Sequence, residues 1–110
     1  MHNQGNTILS QRQNLSIEQC NCCDTIVFIY RNLLLKFTPE SFLRFHSALQ
    51  DINFQERAVA FGDDTQKLIV NTTQQEIQMC FEKPEFELIC RALKEASVML
   101  EVNDILYAQS

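Results

Sequence analysis

Ile26-Val27-Phe28-Ile29-Tyr30-Arg31-Asn32-Leu33-Leu34-Leu35-Lys36-Phe37 decides how the rest of this 110-residue chain must fold. Its first five residues are β-branched or aromatic without a polar interruption. That is the composition of a strand covered on both faces, so Ile26–Tyr30 is expected at the centre of a sheet. After Arg31-Asn32, Leu33, Leu35 and Phe37 share one face of a second strand, while Leu34 and Lys36 point the other way. The period then changes. Phe42, Phe45, Leu49 and Ile52 recur at spacings of three and four, the signature of a helix with one apolar stripe. Pro39 suits a first helical position, where its missing N–H costs nothing, and Thr38 before it is a good N-cap.

The same order of elements returns 44 positions later. Asn32–Leu49 set beside Glu76–Leu93 places Phe37 on Phe81, Phe42 on Phe86, Ala48 on Ala92 and Leu49 on Leu93. Ile77, Met79 and Phe81 alternate as a strand, and Phe86, Ile89, Leu93, Ala96 and Leu100 follow as a helical stripe. Upstream, Leu15–Cys20 reads as an edge strand before Ile26–Tyr30. Ala58–Phe61 and Lys67–Asn71 flank the turn Gly62-Asp63-Asp64-Thr65. The expected fold is therefore α+β, a largely antiparallel six-stranded sheet with two helices on one face, arranged as a pseudo-repeat (βββα)2. Residues 1–14 are expected as a polar, disorder-prone N-terminal arm, and residues 15–110 as a single α+β domain.

Size and charge narrow the function. A domain of this length buries roughly 65% of its unfolded surface and holds a core without disulfides. Nine Lys and Arg face 14 Asp and Glu, a net charge of −5, and the basic residues are scattered rather than clustered. Such a surface repels phosphate backbones and anionic lipid, so no nucleic acid and no membrane partner is expected. Neither a secretory signal nor an apolar run of membrane-spanning length stands in the sequence, which predicts a cytoplasmic protein. Gly5 and Gly62 alone exclude a glycine-rich phosphate loop. His2 and His46 are isolated, and the phenylalanines fall on core stripes. Nothing in the chain requires an enzyme, and no catalytic residue is assigned.

The chemistry-bearing feature is Cys20-Asn21-Cys22-Cys23, at the turn before the central strand. A turn folds residues two and three apart towards one point, and convergent thiolates suit a soft ion such as zinc or iron. Cys20, Cys22 and Cys23 are thus the candidate metal ligands. Structural zinc takes four protein ligands, and His2, His46, Cys80 and Cys90 are each isolated in sequence. Thiol redox chemistry is the other use of the C-x-x-C spacing, but Glu18 and Asp24 nearby are expected to raise a thiol pKa. The competing structural reading makes the cysteines small half-buried side chains at a turn.

Cys20-Asn21-Cys22-Cys23, followed by Ile26–Tyr30, Arg31–Leu35 and Phe37-Thr38-Pro39-Glu40-Ser41-Phe42-Leu43-Arg44-Phe45, resembles a family of small bacterial proteins of Bacteroidota type whose function is unknown. The resemblance covers residues 17–101. It implies a bacterial cytoplasmic origin and transfers no site residue. Two functions follow from the residues. The first is a small non-enzymatic interaction or accessory protein. Its sheet leaves Val27 and Ile29 on an uncovered face, so a homodimer through the sheet is the expected assembly. The alternative is a metal-binding or thiol-redox protein that uses the cysteine cluster.

Overall fold

The computed structural model describes residues 6–108. The chain runs β1 (Asn6–Arg12), β2 (Leu15–Cys20), β3 (Ile26–Tyr30), β4 (Leu33–Phe37), α1 (Pro39–Gln50), α2 (Phe54–Arg57), β5 (Val59–Ala60), β6 (Gln66–Asn71), β7 (Gln78–Phe81) and α3 (Lys83–Ala108). It is an α+β fold with three helices and two antiparallel sheets, one ordered β1-β2-β3-β4 and the other β5-β6-β7. The expected single six-stranded sheet is therefore corrected. The two strand groups do not pair with each other, and each lays its apolar face on α3 instead. The pseudo-repeat is not shown: four strands and a 12-residue helix stand against three strands and a 26-residue helix.

β3 is interior, with β2 on one side and β4 on the other. Ile26, Phe28 and Tyr30 are buried, while Val27 and Ile29 on the opposite face are half-buried. The inner face meets α1 and the second sheet through aromatic contacts: Phe28 lies edge-on to Phe45, Phe37 edge-on to Phe42 and stacked on Phe45, and Tyr30 edge-on to Phe81 of β7. Phe28, Phe42, Ile17, Ile26, Leu49, Ile89 and Leu93 are fully buried. Each is worth about 1.5–3 kcal/mol of transfer from water. α1 starts as its sequence demands. The Thr38 hydroxyl accepts from the Ser41 N–H, and the Ser41 hydroxyl answers at the Thr38 N–H, closing a capping box.

β1 occupies half of the stretch expected as an arm; residues 1–5 of that arm, including His2, lie outside the described residues. Its polar letters hide a register irregularity. Ile8 pairs with Glu18 and Ser10 with Ile17, so the chain bulges between them and both Leu9 and Ser10 turn inward. Ser10 is satisfied there by donating to Glu95 Oε1 at 2.7 Å, and Arg12 pairs with the other carboxylate oxygen at 3.1 Å. β1 also makes β2 an interior strand rather than an edge. α3 continues to Ala108. Among the described residues, no helix is long and apolar enough to cross a membrane.

Candidate metal centre

The β2–β3 connection is five residues long, Asn21–Thr25, and its shape is set by backbone bonds. The Cys20 N–H donates to the Thr25 carbonyl at 2.8 Å, and the Asp24 N–H donates to the Cys20 carbonyl at 3.1 Å. Asp24 completes the reversal at a φ of 60°, in the left-handed region that Asp tolerates better than most residues. Gln19 Nε2 reaches the Asp24 carbonyl, and the Thr7 hydroxyl donates to Asn21 Oδ1 at 2.6 Å, so β1 braces the turn from the side.

Within this frame the three cysteines converge. Their sulfurs all lie within 4.8 Å of one another, and Cys20 Sγ is 3.1 Å from Cys22 Sγ. Cys23 Sγ is 3.4 Å from the Thr25 hydroxyl. Cys20 is half-buried, and Cys22 and Cys23 are exposed. Hydrogen bonds from the Cys23 and Cys22 thiols stabilise the Cys20 thiolate and bring Cys20 down to about 7. Cys22 is pushed up to about 11, because the bond to Cys20 and the charge beside it hold its proton. The expected upward push from Glu18 and Asp24 does not govern Cys20. Glu18 spends its carboxylate on Asn6 and Ser16, and the neighbouring thiols are the larger influence.

The structure brings together Cys20, Cys22 and Cys23 and leaves His46, Cys80 and Cys90 outside the group. Among the described residues no other Cys, His, Asp or Glu joins the group. Cys80 is exposed on β7. Cys90 lies at the α1–α3 contact, 3.9 Å from the Leu49 carbonyl, and burial pushes its thiol up to about 11. His46 is held towards its neutral form by burial and by the charge of Lys94. Three cysteine sulfurs on one short turn form an open, soft donor set. It matches the donor type of zinc, copper(I) and iron–sulfur sites and leaves at least one coordination position to another donor.

A second polar cluster was not legible in the sequence. The Tyr30 hydroxyl donates to Glu85 Oε2 at 2.7 Å, Arg31 Nη2 lies 3.5 Å from the same oxygen, and Glu85 Oε1 accepts from the Glu82 N–H. Arg31 holds a φ of 56° in the two-residue β3–β4 turn, and its N–H donates to the Asn14 carbonyl of the β1–β2 turn. Burial, then Glu85, raises the Tyr30 pKa. This cluster ties the sheet's turns to the start of α3 across 55 residues, a pairing that no local pattern announces. The Thr7–Asn21 brace was equally hidden, because it depends on β1.

A family model described as "Family of unknown function (DUF6686)" matches residues 1–110. No curated protein and no solved structure matches the chain.

Proposed function

We propose that this chain, which belongs to the DUF6686 family, is a small non-enzymatic accessory protein whose β2–β3 turn binds a soft metal ion. Zinc is the first candidate and iron the second, held by the thiolates of Cys20, Cys22 and Cys23. One observation carries the reading: three sulfurs within 4.8 Å on a turn whose shape needs none of them. The ionisation pattern supports it, since Cys20 at about 7 offers a thiolate near neutral pH for an entering cation. Thiol redox chemistry is the rival use of the same sulfurs, favoured by the 3.1 Å approach of Cys20 to Cys22.

Elemental analysis of the chain purified without added metal tests the proposal. Zinc or iron near one equivalent, lost in Cys22→Ser, supports it. Metal-free protein that takes up neither ion on titration overturns it, and rapid alkylation of Cys20 in that same sample points to redox chemistry instead.

Self-association through the open face of the four-stranded sheet is a second reading. Val27 and Ile29 are half-buried there, flanked by Leu34 at 52% exposure and Ile8 at 51%. On that face Val27 stands between two charged residues, Glu18 and Lys36, which limits its apolar area.

A further inference from the structure

α3 is a two-faced helix. Phe86, Ile89, Leu93, Ala96 and Leu100 recur at three and four and are buried against both sheets. Val98 lies two positions from both Ala96 and Leu100, about 200° round the axis and therefore on the opposite side. From Val98 onward that outer side is also apolar: Val98, Val102 and Ile105 recur at four and three, with Met99 and Leu106 beside them. All five are exposed, Ile105 by 53% and Leu106 by 59%, and none of residues 101–106 is buried against the body. On the preceding two turns the same side carries Arg91, Lys94 and Glu95. The change from charged to apolar is abrupt.

We infer that the outer stripe of α3 from Val98 to Leu106 is the interface through which two copies of this chain pair antiparallel, crossing near Val102. The stripe is self-complementary under that symmetry. With Val102 on the two-fold axis, Val98 meets Leu106 of the second copy and Met99 meets its Ile105, so every apolar residue finds an apolar partner. Charge agrees. α3 has no basic residue in its last turn, so among the described residues its own sequence supplies no cation to the negative dipole end. Antiparallel pairing brings that end beside Lys94 and Arg91 of the other copy, where cations stabilise it. Glu101 borders the stripe and Asp104 lies farther round the helix, both acidic, a sign pattern that repels an anionic membrane surface.

Area agrees as well. The five side chains expose roughly 400 Å² of apolar surface per copy, within the size of patch that marks an interaction site. Pairing removes about twice that, and at the ~65% apolar fraction of homodimer contacts the whole interface comes to roughly 1,200 Å². That clears the ~1,000 Å² a specific contact needs and sits at the low end of the standard range, where weak and transient contacts fall. This inference is independent of the metal reading.

Sedimentation velocity over a concentration series, in reductant and with and without zinc, tests it on the full chain. The wild type is expected to pass from monomer to dimer in the micromolar range. Val102→Glu places two carboxylates face to face on the axis and raises the dissociation constant at least ~100-fold. Leu34→Glu, on the open sheet face, leaves the dimer intact. Both positions are exposed, and a far-ultraviolet spectrum confirms that each variant folds. A wild type that stays monomeric at several hundred micromolar overturns the inference. So does a dimer that survives Val102→Glu, and one abolished by Leu34→Glu alone moves the interface to the sheet.

Discussion

Proton release on metal binding follows from the arrangement of the three sulfurs. At pH 8 Cys20 is already ionised, because its pKa is brought down to about 7, whereas Cys22 at about 11 still holds its proton. A metal that takes both sulfurs therefore displaces the Cys22 proton at every pH from 7 to 10. It displaces the Cys20 proton only where that thiol is protonated, below about 7. The number of protons released per metal is thus expected to rise by one as the pH falls from about 8.5 to about 5.5. The logarithm of the affinity gains one extra unit of slope, a further tenfold weakening per pH unit below about 7. Isothermal titration with zinc in two buffers of different ionisation enthalpy, repeated at several pH values, counts the protons directly. Cys20→Ser should remove the step near pH 7. Cys22→Ser should lower affinity at least ~100-fold, since even outer-shell partners of a metal ligand are worth 10–100-fold. A release that stays constant through pH 7, or an affinity unchanged in Cys22→Ser, would show that the turn does not act as a thiolate ligand set.

Tyr30→Phe deletes the hydroxyl that donates to Glu85 and should cost about 1.5–3 kcal/mol, read as a lower urea midpoint at unchanged slope, because the lost bond is to a part-buried carboxylate. Phe28→Ala empties a fully buried site against Phe45 and should cost about 3–5 kcal/mol in the same assay, while Leu34→Ala on the exposed face stays within about 0.5 kcal/mol. Asp63 is held down to about 2 by the Thr65 hydroxyl and then Lys67. A depressed carboxylate contributes stability above its ordinary value of 3.8 and loses it as the pH falls towards 2, so Asp63→Asn should flatten the pH dependence of stability in that window.

The parts of the fold that were legible are those in which local pattern and tertiary role coincide. Ile26–Tyr30 and Leu33–Phe37 announce strands by composition and alternation, and Thr38-Pro39 announces the start of α1 by capping chemistry. Pairing between the halves was not legible. The apolar faces of β6 and β7 read the same whether they join the first sheet or form a second one across α3, because burial, not hydrogen bonding, is what alternation reports. β1 was missed because its bulge breaks the period of two and its polar side chains look like a tail. The one-turn α2 was missed because four residues, Phe54–Arg57, are too few to show a helical period. Sequence spacing brought Cys20, Cys22 and Cys23 together, yet it pointed the wrong way on Cys20 acidity. Counting nearby carboxylates says nothing of where Glu18 points.

The five cysteines occupy different chemical environments. Cys90 is a packing atom, half-buried at the α1–α3 contact with its thiol pushed up to about 11, a group that holds its proton and fills space. Cys22 and Cys23 fill none. They are exposed, and the turn that carries them is shaped by bonds to the Cys20 and Thr25 backbone and by Asp24 at positive φ. Replacing those two sulfurs by hydroxyls should move stability by no more than about 0.5 kcal/mol, which separates what the turn needs to fold from what it needs its thiols for. Exposed thiols are also the ones most open to oxidation, a liability that a purely structural turn has no reason to carry. The core lies elsewhere, around Phe28, Phe42 and Leu93, so a metal at the turn would stabilise the fold only by mass action rather than by completing it. Three sulfurs outside the core and open on one side would suit an ion that exchanges or accepts a further ligand, whereas a structural zinc closes its shell with four.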